Sequence, residues 1–435
     1  MSKHLLEKAK EYAMYAILFS LPIFYVVNTT DMRQAQERYF QAAGMVLGSL
    51  FFGNIWLTLF FVLNMILFVY HGAEIGGSQT LSIFLTCILF ACSRNFFSQK
   101  EQDFFKYAKA LYFVAALSIF WMCLQLFGID PLNTGRFADG VLMRNATFNV
   151  PCGLLAGPAF NGIFLTLVAA LLMFQGSVLI GFLLFIPVFM MKSSASALAF
   201  AFLIVFWAYH RFREFIFFIP IPKWRVIGIK FNYLWVIGAM LLSFGAYTFH
   251  DNKVDPLTYG SRLETWHLIF KQSLANPFGW GPDSFRNYNS HKNFMFYGDE
   301  TYNPMLRSKI DANTDRLQYY SADAGNLLPR YEGKKPKNMS EWREAHNEYL
   351  QFFFEYGIFG LIIFGGLIRE VWDRYILSSK DNVTLALFAC LLVYAITSIT
   401  QFPFHLARLT GMFGIILGAY FAATDKNYKL FRGEI

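Results

Sequence analysis

The stretch Glu344–Gly366, EAHNEYLQFFFEYGIFGLIIFGG, changes character within a few residues. Its head holds His346, Asn347 and the carboxylates of Glu344 and Glu348, and its remainder is apolar enough to enter a bilayer. Such a segment asks whether the chain spans a membrane and what polar groups do at the membrane's edge. Composition answers the first question. With 435 residues, 56% hydrophobic and 15% charged, and a mean hydropathy of +0.38, the chain has too little polar surface for a soluble globule of its size. It reads as a polytopic membrane protein. The 51 Phe and 23 Tyr suit lipid-facing and interfacial positions.

Apolar runs long enough to span occur at 13–29, 38–53, 55–70, 79–96, 106–127, 153–174, 177–191, 194–210, 232–250, 355–375, 383–401 and 407–424. The expected fold is therefore all-α, with about 12 transmembrane helices. Basic residues alternate between the loops. One set contains Lys3, Lys8 and Lys10, then Arg94, Lys100 and Lys106, then Arg211 through Lys230, then Arg369, Arg374 and Lys380, and last Lys426, Lys429 and Arg432. The opposite loops carry few. By the positive-inside rule both termini are cytoplasmic, and the net charge of +8 is mostly topological, so no nucleic-acid partner is needed to explain it. The retained N-terminal helix lacks a small-residue cleavage pattern. One long polar segment separates the ninth and tenth spans and falls on the non-cytoplasmic side. The expected organisation is thus spans one to nine in 1–250, a loop domain in 251–344, and a His-bearing lead-in with the last three spans in 345–435.

Four polar patches share that outer side: MRNATFNVP, MKSSAS, GSRLETWHLIFKQSLANPFGWGPDSF and EAHNEYLQ. His346 is the sharpest element, because an imidazole titrates near neutrality and takes a proton from a hydroxyl while Asn347, Glu344 or Glu348 orients it. Equally, it is a histidine that caps a helix or sits at the lipid interface. Arg262 suits bidentate contact with phosphate oxygens, or a surface pair with Glu264. Arg144 and Lys192 lie at the edges of apolar spans, where charge is costly unless it has a task or snorkels to water. Pro277, Gly279 and Gly281 suit a tight turn. Cys87, Cys92, Cys123, Cys152 and Cys390 show no metal-ligand spacing, and the paired aspartates fit no recognised metal site, so no metal and no cofactor is expected. Nucleotide-binding glycine fingerprints, G-x-S-x-G and HExxH are absent from the sequence.

Together these residues resemble the bacterial O-antigen ligase and O-antigen polymerase superfamily. The likeness rests on Arg262 before Trp266, on Pro277-Gly279-Gly281, on His346-Asn347 and on Glu355-Gly357-Gly360. Upstream, Arg144, Phe148, Asn149 and Pro151 are similar to the family's R…G-x-F-x-N-P run, and QFPFHLARLTGMFGIILGA is similar to its final pair of spans. The likeness covers the chain from about residue 130 onward. Two positions depart: Ser193-Ser194 stands where a Ser-Arg pair is usual, with Lys192 as the nearest cation, and Ala146 replaces a glycine.

The resemblance implies a metal-independent, inverting glycosyltransferase in the bacterial inner membrane, with its active site facing the periplasm. Its donor would be a glycan on undecaprenyl diphosphate, and its acceptor a hydroxyl of the lipid A-core saccharide or of a growing glycan. His346 would be the general base, and Arg262, with Lys192 or Arg144, would neutralise the departing diphosphate. Ligation is preferred, with polymerisation on the same donor as the alternative. Protein O-glycosylation ranks lower, as does a lipid or solute transporter, which calls for broken helices and charges near the bilayer midplane.

Overall fold

The computed structural model describes residues 3–23, 54–71, 77–98, 104–127, 129, 151, 153–155, 158–191, 193–212, 216–219, 227–230, 266, 269–282, 284–285, 317–321, 327–331, 345, 347–401, 403–405 and 407–432. The expected spans at 38–53 and 232–250, and most of the 251–344 segment, lie outside the described residues. Each of the other expected spans holds helix.

The helices are α1 (Lys3–Ile23), α2 (Ile55–His71), α3 (Gly77–Ser98), α4 (Phe104–Leu126), α5 (Pro158–Gln175), α6 (Val178–Leu183), α7 (Phe185–Met190), α8 (Ser194–Phe212), α9 (Glu348–Leu377), α10 (Asn382–Thr397) and α11 (Ala407–Arg432). Single 3-10 turns stand at Gly153–Leu155 and Pro403–His405. Four helices, Phe104–Leu126, Pro158–Gln175, Ser194–Phe212 and Glu348–Leu377, are long and apolar enough to cross a membrane. Two short antiparallel hairpins, Ile216–Ile219 with Ile227–Lys230 and Leu317–Ser321 with Leu327–Tyr331, add to the helical fold expected from sequence. The first follows from a run of Ile and Phe, which favour strand, ending at Pro220 and Pro222.

The core is apolar, but apolar side chains also face outward and polar ones lie inside, unlike a soluble protein. Along α2, Ile55, Leu59, Val62, Ile66 and Val69 repeat at helical spacing and are exposed, as a lipid-facing stripe requires. Buried polar side chains lie inside: Asn64, Ser93, Ser118, Asn161, Thr166 and Ser196. Most have identified partners, since no water reaches them. Ser118 Oγ, for example, donates to Asn161 Oδ1 at 2.7 Å, and Ser93 Oγ to the Ile415 carbonyl at 2.7 Å. Helix α5 is the central post, buried from Asn161 through Phe174 and packed on α4, α8 and α10. The most extensive contact joins α3 to α11, where Gly414 and Gly418 let the backbones of the two helices come close.

Of the boundaries that differ from the apolar runs, three have a clear local reason. The 153–174 run opens with a 3-10 turn, and α5 begins at Pro158, whose missing N–H costs nothing in a first turn. The 177–191 run breaks at Leu184, because Pro187 has no N–H to offer Leu183. The 355–375 run extends backward to Glu348, so part of the polar head belongs to the helix. Asn347 makes that extension possible: its Oδ1 accepts the Leu350 N–H at 3.0 Å as an N-cap.

Candidate functional site

Helix α9 is interrupted at Gly357, which adopts φ 62° and ψ −159°. Only glycine takes that conformation without strain. The interruption frees backbone groups on both sides, and the turn 276–281 satisfies them. The Trp280 amide donates to the Phe354 carbonyl at 2.9 Å, the Gly281 amide to the Glu355 carbonyl at 2.9 Å, and the Ile358 amide to the Pro277 carbonyl at 2.8 Å. Gly279 has φ 90°, and a Cβ there would stand 2.5 Å from the Glu355 carbonyl oxygen. A methyl at Gly357 would collide with the Pro277 carbonyl oxygen. The two glycine motifs, some 75 residues apart in sequence, are thus the two faces of one backbone joint.

A small apolar cluster fastens the joint. Ile269, Phe285, Ala345 and Phe354 are buried together, with Trp280 and Leu350 against them. Phe285 meets Phe354 edge to face at 5.6 Å. The Trp266 indole N–H donates to the Ala345 carbonyl at 2.8 Å, bringing the tryptophan of the arginine motif onto the residue before position 346.

Beneath the joint lies a wholly buried chain of polar side chains. The Ala345 amide donates to Gln351 Oε1 at 3.0 Å, and Gln351 Nε2 to Glu355 Oε1 at 3.2 Å. Glu355 Oε2 meets His405 Nε2 at 3.0 Å, and His405 Nδ1 meets Glu348 Oε1 at 2.6 Å. Glu348 Oε2 then accepts the Phe404 amide at 3.0 Å. His405, Glu348 and Glu355 have side chains with no exposed surface. An imidazole that faces a carboxylate at each nitrogen needs two N–H donors to satisfy both. Burial alone would push its pKa down, but the charges of Glu355 and Glu348 and their hydrogen bonds outweigh burial and hold it well above the ordinary value.

Of the expected site residues, Arg144, Lys192, Arg262, Glu344 and His346 lie outside the described residues. Asn347 caps α9, and Glu348 faces His405 and the Phe404 amide. Among the described residues no group of three His, Cys, Asp or Glu is arranged to hold a metal ion. His405 was not among the candidates from sequence. The signal for it was the spacing of Glu348 and Glu355: two carboxylates on one face of an apolar helix call for a cation, and His405 stands in the turn joining the last two spans.

No family model matches this chain, and a comparison with curated proteins finds no match. The class that can be stated is therefore a helical membrane protein with a joint of two glycine turns over a buried Glu–His–Glu bridge.

Proposed function

We propose that the chain is an O-antigen ligase-type glycosyltransferase, moving a glycan from undecaprenyl diphosphate to a hydroxyl of the lipid A-core saccharide at the periplasmic face of the inner membrane. One observation carries the reading. The Pro277-Gly279-Gly281 turn seats in the break at Gly357, and Trp266 bonds Ala345, so motifs far apart in sequence meet along the first turns of α9 and at the residue preceding position 346. Residues that merely decorated a membrane surface would not need this mutual fit.

In the proposed reaction the acceptor oxygen attacks the anomeric carbon from the face opposite the leaving group. The new C–O bond forms as the bond to the diphosphate breaks, and its electron pair leaves with the diphosphate. His346 takes the hydroxyl proton. Arg262, with Lys192 or Arg144, balances the charge that collects on the departing phosphate, a device that works without a metal. The apolar cleft between α2, α3, α9 and α11, lined by Phe60, Phe352, Phe364 and Phe404, suits an apolar chain.

The test is reconstitution of the purified protein in liposomes with an undecaprenyl-diphosphate-linked glycan and lipid A-core. The expected product is glycan on lipid A-core. Arg262→Ala removes most of the turnover, and Arg262→Lys restores it poorly, because a point charge does not replace a planar fork. Lengthened glycan on the carrier would move the reading to a polymerase, and no loss of glycan from the carrier would overturn it.

A further inference from the structure

His405 stands in the QFPFHLARLTGMFGIILGA run and has no role in the reaction above, yet both ends of the joint lead to it. Glu355 offers its side chain to His405 Nε2 and its backbone carbonyl to the Gly281 amide. Glu348 offers its side chain to His405 Nδ1 and to the Phe404 amide, while its own amide donates to the Ser398 carbonyl at 2.8 Å. The two carboxylates are seven residues apart, two turns on one helical face, and the imidazole spans them like a rung. The Phe352 ring lies between, 6.2 Å from the imidazole at a steep angle. Gln351 continues the chain from Glu355 to the Ala345 amide. One side chain therefore ties together the first turn of α9, the last turn before its break, the glycine turn docked there and the residue preceding position 346.

We infer that His405 is the positioning residue of the proposed site: held between Glu348 and Glu355, it fixes the 347–355 turns against the Pro277–Gly281 turn. Its effect on turnover rests on the glycosyltransferase reading, whereas its mechanical role rests on the hydrogen bonds alone. His405 acts through Glu348 and Glu355. A glutamine in its place cannot do the same work. An amide presents donors on one side and a carbonyl oxygen on the other, so it serves one carboxylate and turns an acceptor toward the second.

Hydrogen exchange of the full-length protein in nanodiscs separates the two parts. In His405→Gln, amides of 278–281 and 347–350 exchange about tenfold faster or more, while 371–377 at the far end of α9 keep wild-type protection. Turnover in the liposome assay falls about 10- to 100-fold, with KM for the lipid-diphosphate donor little changed, because a misplaced group costs rate before it costs binding. Glu355→Ala leaves the His405–Glu348 pair in place and keeps the Glu355 backbone carbonyl, so it covers the case in which His405→Gln fails to fold. In it, 278–281 also exchange faster. Wild-type protection of 278–281 in Glu355→Ala, or an increase in His405→Gln spread evenly to 371–377, would overturn the inference. If the wild-type protein moves no glycan while local exchange rises as expected, the rung stands and the transferase reading falls.

Discussion

Both ends of α9 carry a polar cluster, wholly buried at the start and partly buried at the end, and the two are built on different electrostatics. At the start of the helix, two carboxylates face one imidazole. At its end, Arg374 meets Glu370 at 3.0 Å and Asp425 at 2.8 Å, and Asp425 is held bidentately by Arg94 at 2.9 Å to each oxygen. Asn54 Nδ2 donates to the other Glu370 oxygen at 2.8 Å, and the Arg374 guanidinium stacks between Phe421 at 4.0 Å and Tyr428 at 4.1 Å. Two arginines against two acids balance in charge. The far cluster is a lock that ties α2, α3, α9 and α11. The near cluster, whose charge balance depends on a histidine, sits under the joint that gathers the motifs. The same helix thus carries a fixed anchor at one end and an adjustable support at the other.

That contrast is broken most severely at the anchor. Arg374→Ala leaves the largely buried Glu370 without its cation, while Asp425 keeps Arg94, and the expected cost is about 3 kcal/mol, the low end for a broken buried pair. A thermal unfolding series in detergent measures it, and a change below about 1 kcal/mol would mean the lock is ornamental. Gly357→Ala comes next. It forces a side chain into left-handed backbone and against Pro277, at roughly 1–3 kcal/mol from the backbone alone, and it should loosen the 276–281 turn while leaving the Arg374 cluster intact. The smallest effect on stability sharpens the comparison by pH. The folded-state pKa of His405 is raised, so its stabilising contribution is complete below about pH 6.5, the unfolded value, and is lost as pH rises through the folded value. Wild-type stability should therefore decline with rising pH by a component that His405→Gln lacks, whereas Arg374→Ala retains it.

How far this was legible in sequence differs between the regions. Among the described residues, length and apolar runs were enough to locate the helices, since a segment such as Pro158–Gln175 has no other way to satisfy its backbone in lipid. The glycine spacings marked 277–281 and 357 as special, but spacing does not say that one turn plugs the other's break. That fact lives in hydrogen bonds across some 75 residues. Apolar periodicity places the start of α9 at 355, because it cannot see Asn347 capping a turn of buried Glu348 and Gln351. His405 escaped for a related reason. A single histidine in FPFHLAR has no periodicity, and its meaning depends on two carboxylates brought to it by folding. The anchor was equally hidden, since Arg94 and Arg374 counted only as loop charges in the topology argument.

The central claim is that the near end of α9 does chemistry, with His346 as the base. It is tested most directly by turnover of His346→Gln on a defined lipid-diphosphate donor and acceptor, read beside its unfolding temperature. Glutamine keeps a hydrogen-bonding amide but takes no proton at neutral pH. The account predicts a loss of roughly 100-fold or more, an unfolding temperature equal to that of the wild type and unaltered donor binding. Near-normal turnover of the folded His346→Gln protein would contradict it.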